Sequence, residues 1–394
     1  MTNSNNTGER ILLLGLDRRL SAGSFDPALS LLELAGLTET AGGQVVDSVL
    51  VRRDKPDPAH YLGKGKLEEI IGLAEEKEID LVIIDDELSV RQQNRLDALL
   101  PCRAIDRTAL ILQIFADHAR TREGKLQIEL AQLNYMLPRL AGKGLILSRL
   151  GGGIGTRGPG ESQLETDRRH IRRRIETLTK ETESIRKHRA LTRSRRQKNR
   201  IPVVALVGYT NAGKTSLLNL LTGAGADAED KLFATLDPIT RKWKLGQTGI
   251  LLTDTVGFIQ RLPHSLVNAF RATMEEAAFA DFLMHVVDCS HSDPEMQIRT
   301  VLQVLDEVGC HEKPILHVFN KADLLPDPLD MQRYLREYQP ALLFSAKTGE
   351  GMEQLKFMLD ELINSRGKDR LSESENDGGR AEDRKLEKGQ ESDE

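Results

Sequence analysis

The stretch Val203-Val-Ala-Leu-Val-Gly208-Tyr209-Thr210-Asn211-Ala212-Gly213-Lys214-Thr215-Ser216, followed by Leu217-Leu-Asn-Leu-Leu221, decides the fold. An apolar, β-branched run leads into G-x-x-x-x-G-K-T and an amphipathic helical pattern leaves it. The loop therefore lies between a buried strand and a helix N-terminus. Its glycines let backbone N–H groups curl around a β-phosphate, Lys214 supplies charge between the β- and γ-phosphates, and the Thr215 hydroxyl is placed to ligate Mg²⁺. The pattern predicts a nucleoside triphosphate site in an open α/β sheet.

Three further segments complete that site. Ile250-Leu-Leu-Thr253 reads as a strand ending in Asp254-Thr255-Val256-Gly257. There, at a strand's carboxyl end, Asp254 would orient Mg²⁺ and the Gly257 N–H would meet the γ-phosphate. Asn320-Lys321-Ala322-Asp323 follows the strand-like Pro314–Phe319. A carboxylate at Asp323 can accept both N1–H and N2–H of guanine, and adenine offers no such pair, so the base is expected to be guanine. Ser345-Ala346-Lys347 would add a contact to the guanine oxygen. Between the first two elements, Leu232-Phe233-Ala234-Thr235-Leu-Asp237-Pro238-Ile-Thr240-Arg241 is long enough to fold over the γ-phosphate. Thr235 is assigned as the second protein hydroxyl on Mg²⁺, with Thr240 as the alternative.

Phe258 follows Gly257, where many GTPases carry a glutamine that orients the attacking water. An apolar ring cannot do this, so intrinsic turnover should be slow. Asn211 matches the asparagine with which potassium-stimulated GTPases hold K⁺ beside the phosphates; a loop-stabilising role is the competing reading. The residues expected to act in hydrolysis are Lys214, Thr235, Gly257 and Asn211.

At 394 residues the chain has room for two or three cores, and its net charge of −5 hides local asymmetry. Cys102, Cys289 and Cys310 show no metal-like spacing, which suits a reducing compartment. The polar start and the lack of an apolar run of 18 residues lead to the expectation of a cytoplasmic protein without integral membrane contact. Residues 366–394 are charged and nearly devoid of apolar anchors, and are expected to be a disordered tail.

Residues 1–120 form the expected N-terminal α/β domain, with strands at 11–16, 45–51 and 81–84 and helices near 27–37, 65–77, 90–100 and 108–119. Asp85-Asp86-Glu87 reads as a solvated acidic loop after a strand, with a metal site as the alternative. Residues 121–200 carry Leu126, Leu130, Leu133, Leu137 and Leu140 on one helix face, then Leu164, Ile171, Leu178 and Ile185 at heptad spacing. Two such stripes predict an antiparallel helical hairpin. Its second helix is basic, with a surplus of eight positive charges over 161–200 and a cluster at Arg168, Arg169, Arg172, Arg173 and Arg174. That charge, on an acidic chain, points to a polyphosphate partner.

Between the helices, Gly151-Gly-Gly-Ile-Gly-Thr-Arg157-Gly-Pro-Gly160 contains G-x-G-x-x-G, but no strand precedes it, which argues against a dinucleotide site. A tip free of bulky side chains, carrying Arg149 and Arg157, suits a narrow anionic cavity. Without aromatic stackers nearby, shape and backbone recognition of structured RNA is the expected mode. The nucleotide domain is expected at 201–365.

Together these residues resemble the HflX family of ribosome-associated GTPases, from about Ile11 to Ser365. The resemblance is carried by Pro56–Lys66, Asp85-Asp-Glu-Leu88, Arg120–Leu126, the Gly151–Glu161 tip, Gln163–Arg169 and Asp254-Thr-Val-Gly-Phe258. It implies binding to the large ribosomal subunit through rRNA, with the hairpin tip directed at the peptidyl-transferase region; the chain itself is expected to be a monomer. It also implies hydrolysis stimulated by ribosomes, and separation of stalled or idle 70S ribosomes under stress. Some family members carry a folded domain after the nucleotide domain, where this chain has the charged tail. Two other readings stand beside it: a GTPase gating a protein contact with the basic helix on phospholipid, and a second triphosphate site near Gly63-Lys64-Gly65-Lys66.

Overall fold

The computed structural model describes residues 8–18, 26–148, 159–198, 201–223, 225, 232–233, 235–261 and 274–365; side chains at 141–148, 159–164, 190 and 192–198 are left aside. Arg149 and Arg157 of the glycine-rich tip, Ala234, and the tail after Ser365 lie outside the described residues.

The first layer is a parallel sheet of β1 (Arg10–Asp17), β2 (Gln44–Arg52), β3 (Leu81–Ile84) and β4 (Arg103–Asp106), in the order β2-β1-β3-β4. Because its central strands are covered on both faces, they read as unbroken apolar runs. Ile11 and Leu13 pack toward α1 (Pro27–Thr40) and α4 (Arg107–His118), whereas Leu12, Leu14 and Leu16 pack toward α2 (Lys64–Glu76) and α3 (Val90–Leu99). Local chemistry sets the helix starts. Asp26 caps α1 with Pro27 at its first position, Ser89 and Gln92 form a reciprocal capping box on α3, and Asp106 caps α4. Strand β4 is an addition to the expected elements: it is only four residues long, and charged residues at both ends mask it.

Helices α5 (Arg122–Ser148) and α6 (Pro159–Lys198) form the expected antiparallel hairpin. Leu126 and Leu178 are buried in its seam, and Arg174 grips Glu129 through two 2.7 Å bonds while Arg189 reaches Glu123 at 2.8 Å. The middle of α5 is bound to the first sheet, because Tyr135 donates its hydroxyl to the buried Asp106 (2.7 Å) and Arg139 pairs with the same carboxylate (3.1 Å).

The second sheet comprises β5 (Val203–Gly208), β6 (Ile239–Leu245), β7 (Thr248–Asp254), β8 (Phe282–Asp288), β9 (Ile315–Asn320) and β10 (Ala341–Leu343), in the order β10-β9-β8-β5-β7-β6. Only the β6–β7 pairing is antiparallel. One face packs α7 (Lys214–Thr222) and the helix at 352–365; the other packs α8 (Pro294–Glu307), α9 (Gln332–Glu337) and the turns at 274–279.

The acidic segment after β3 departs from expectation. Asp85 is 2% exposed and accepts from Ser30 (2.6 Å) and from Arg107 (2.7 Å), whose guanidinium is equally buried and also pairs with Glu33. Burial opposes the charge of Arg107, yet Glu33 and Asp85 outweigh it and hold its pKa above the usual arginine range. Asp86 accepts from Tyr61 (2.6 Å) and Arg18 (2.5 Å). Among the described residues, no group of three His, Cys, Asp or Glu is arranged to hold a metal. Asp85 is the centre of a buried ionic joint and Asp86 is half-buried, whereas Glu87 is exposed as expected of a solvated loop; Arg107 and Glu33, the other members of the joint, are too far away in sequence to be read locally.

Candidate nucleotide site

The phosphate loop emerges from β5 at the carboxyl end of the second sheet, where open α/β folds place ligands. Gly213 takes φ +91 directly before α7, so the chain turns into the helix with its first N–H groups facing the loop. A side chain at Gly213 would strike the amide of Asn320, and one at Gly208 would strike the Val286 carbonyl. Lys214 is buried and donates to the carbonyls of Gly208 (3.1 Å) and Tyr209 (2.8 Å). Burial pulls its pKa down to about 8.

Thr215, Thr235 and Asp254 converge beside it. The Thr215 hydroxyl lies 2.7 Å from the Thr235 hydroxyl and donates to Asp254 Oδ2 at 2.7 Å. Asp254 is fully buried; burial raises its pKa, and its Oδ1 has no hydrogen-bond partner. Two hydroxyls around an incompletely satisfied buried carboxylate are an oxygen donor set that fits Mg²⁺. Thr240, the alternative to Thr235, instead bonds Thr253 at 3.0 Å between β6 and β7. The neighbouring Phe233 turns away from the phosphates: its ring is buried edge-on against Phe115 of α4, with centroids 4.6 Å apart.

Thr255, Val256 and Gly257 continue from β7 under the loop. Thr255 is buried and donates to the Leu206 carbonyl at 2.7 Å, which fixes it structurally, and Val256 is buried in the core. A side chain at Gly257 would come within 2.7 Å of Thr210 Cα, so only glycine brings this backbone against the loop. Phe258 is stapled to the same loop: its N–H donates to the Gly208 carbonyl (3.1 Å) and its carbonyl accepts from Thr210 (2.8 Å), while the ring is buried. Gln260, the nearest glutamine downstream, is also buried, and its side-chain N–H₂ points to Met296 (2.8 Å).

The base-recognition residues are tied to the phosphate loop. Asn320 donates to the Ala212 carbonyl (2.9 Å) and accepts from the Ala346 N–H (2.9 Å), so one buried amide links three of the motifs. Ser345 donates to Asp323 Oδ1 at 2.6 Å, orienting a carboxylate that is itself exposed. Lys321, at φ +66, pairs with Asp288 at 2.7 Å; Lys347 is exposed, and Asn211 takes φ +60 in the loop. Ser216 follows Thr215 in the first turn of α7.

Of the basic cluster, Arg169, Arg172 and Arg173 are exposed, with Arg168 and Arg172 each 3.7 Å from Glu165. Arg174 is consumed by Glu129 within the hairpin. Lys66 pairs with Glu69 at the start of α2. Among the described residues no helix is long and apolar enough to cross a membrane.

Sequence reasoning missed the joint linking this site to the first sheet. Tyr209 of the phosphate loop donates to Glu33 of α1 and accepts from the Gln260 N–H at 2.9 Å; Arg107 reaches the Gln260 carbonyl at 3.3 Å, and Arg261 lies 3.6 Å from Asp85. Burial, then the Glu33 charge, raises the Tyr209 pKa well above the usual phenol value. The D-x-x-G neighbourhood thus rests directly on α1 and α4.

Family models for a GTP-binding GTPase N-terminal region, a GTP-binding GTPase middle region and a 50S ribosome-binding GTPase match residues 28–116, 118–196 and 203–321. The GTPase HflX of Alkalihalophilus pseudofirmus is 48% identical over 356 residues, covering 90% of this chain and 83% of that protein. The GTPase HflX of Caldanaerobacter subterraneus is 55% identical over 297 residues, 75% of this chain and 69% of that one. The Escherichia coli GTPase HflX is 44% identical over 335 residues, covering 84% and 79%. Among solved structures, that of SsGBP in complex with GDP is 29% identical with a TM-score of 0.51, covering 91% of this chain and 99% of that one. Joined to a site that assembles all the guanine-nucleotide motifs, these matches place the chain in the HflX family of GTPases.

Proposed function

We propose that this chain binds GTP, engages the large ribosomal subunit and the 70S ribosome through rRNA, and uses the GTP state to separate stalled or idle ribosomes under stress. Backbone N–H groups from Tyr209 to Ser216 hold the phosphates and Lys214 neutralises the γ-phosphate. Asp323 selects guanine with help from Asn320, Lys321, Ser345, Ala346 and Lys347. Thr215, Thr235 and Asp254 would hold Mg²⁺, which would supply positive charge against that developing on the triphosphate. Gly257 offers its N–H to the γ-phosphate, and Asn211 would hold K⁺ if hydrolysis is potassium-stimulated. Phe258 and Gln260, the described residues that follow Gly257 and could be looked to for orienting water, are both buried, which supports slow turnover alone.

The observation that supports the switch is the 2.7 Å contact between the hydroxyls of Thr235 and Thr215, the latter also donating to Asp254 at 2.7 Å, which brings the segment before β6 to the Mg²⁺ donor set. The exposed arginines of α6, and Arg149 and Arg157 at the tip, provide charge for rRNA. GTP turnover with and without large subunits tests this reading. At least tenfold stimulation by subunits, with weak stimulation after Arg169 and Arg173 are replaced by Ala, is expected; equal turnover with and without subunits would reject it.

A further inference from the structure

We propose that Asp237 couples the nucleotide site to the helical hairpin, its carboxylate capping the first turn of α5 and closing there when Thr235 is held by Mg²⁺–GTP. The proposal rests on the assignment of Thr235 made above and extends it to a contact outside the nucleotide pocket.

Asp237 stands two residues beyond Thr235, separated from it by the buried Leu236. Its Oδ2 accepts the N–H groups of Arg120 (2.9 Å) and Thr121 (2.8 Å), and its Oδ1 accepts the Thr121 hydroxyl. Thr121 in turn receives the Gly124 N–H on its Oγ1 (3.0 Å) and the Lys125 N–H on its carbonyl (3.0 Å), which makes it the cap of α5. A carboxylate at this end meets unsatisfied N–H groups and the positive end of the helix dipole. One segment therefore touches the Mg²⁺-binding hydroxyl and the root of the hairpin within three residues.

Gly124 provides an independent indication. It is buried in the first turn of α5, where glycine is a poor helix former. A Cβ there would lie 2.5 Å from Asp237 Oδ1 and 3.2 Å from Thr121 Oγ1. The carboxylate, fixed by its bonds to Arg120 and Thr121, could make room only by leaving the cap. Glycine is the residue that admits Asp237.

Helix α5 is held to the first sheet again at Tyr135 and Arg139, so the stretch that the latch controls is residues 122–135, about 20 Å at 1.5 Å per residue. Thr235 lies between two anchors on the N-terminal elements, Phe233 against Phe115 and Asp237 on α5. Loss of the ligand from Thr235 slackens the segment between them.

Hydrogen exchange of the peptide spanning residues 118–126, measured on the full chain without ribosomes, tests the latch. The wild type should exchange there at least tenfold more slowly with Mg²⁺ and a non-hydrolysable GTP analogue than with Mg²⁺–GDP. Asp237→Ala and Gly124→Ala should erase the difference, and Asp237→Asn, which keeps one acceptor oxygen, should retain part of it. Gly124→Ala discriminates: alanine favours the helix, so a merely structural role predicts slower exchange in both states, whereas the latch predicts loss of nucleotide dependence. By linkage, Asp237→Ala and Gly124→Ala should lose about the same factor in preference for the GTP analogue over GDP, while affinity for GDP stays within threefold. Equal exchange of the wild type in the two states, a full difference surviving in Gly124→Ala, or an unchanged nucleotide preference in that variant would overturn the proposal. Because no ribosome is present, that failure is distinct from failure of ribosome engagement.

Discussion

The phenolic oxygen of Tyr209 accepts the backbone N–H of Gln260 at 2.9 Å, joining the phosphate loop to the segment three residues beyond Gly257. The same hydroxyl donates to Glu33, so a single atom ties two nucleotide-sensing segments to α1. Removing it in Tyr209→Phe leaves the Gln260 N–H unsatisfied in a buried place, at a cost of about 1–3 kcal/mol. Denaturant unfolding should show a loss of that size, and amide exchange should accelerate at 258–261. Unchanged exchange there would separate Tyr209 from this segment.

Arg107 is the pivot of the same joint. Replacing it with Met preserves volume but strands Asp85 and Glu33 as buried carboxylates, so Arg107→Met should cost about 3–5 kcal/mol. A urea midpoint shift of corresponding size is expected. A neutral effect would mean that the two acids protonate without strain.

In the proposed function base selection falls to Asp323, which accepts from Ser345 at 2.6 Å. Asp323→Asn should exchange preference from guanosine to xanthosine triphosphate, with GTP affinity falling by about 10²-fold or more, since a site built on paired polar groups discriminates steeply. Competition binding with the two nucleotides measures it directly. Retained GTP preference would remove Asp323 from base recognition.

Lys214 gives the site a pH signature. Its pKa of about 8 in the free protein lies below the usual 10.5, because burial disfavours the ammonium. Between these values the unfolded chain binds more protons than the folded one, so the stability of the free protein rises with pH across that window. Bound polyphosphate favours the charged form, so binding takes up a fraction of a proton that grows as the pH rises through about 8. Calorimetry in buffers of different ionisation enthalpy reads this uptake. A value independent of pH would show that Lys214 is already fully charged.

The nucleotide motifs were legible in sequence because each carries its chemistry within a few residues and announces its strand by an apolar run. The hairpin was legible for the same reason, through its leucine spacing. What stayed hidden depends on distant partners. Asp85 looked solvated because Arg107 and Glu33 lie 22 and 52 residues away. The seating of the Phe233 ring depends on Phe115, 118 residues earlier. Strand β4 was missed because its pairing with β3, and not its composition, makes it a strand. The role of Asp237 required the Arg120–Gly124 turn, 116 residues earlier, to fold against it.

The most direct test of the account is co-sedimentation of the full chain with large ribosomal subunits, comparing Mg²⁺ with a non-hydrolysable GTP analogue against Mg²⁺–GDP. Nucleotide shifts such an equilibrium only through differential affinity for the two states, so the account predicts at least tenfold tighter association with the analogue. Equal association with the two nucleotides would contradict it.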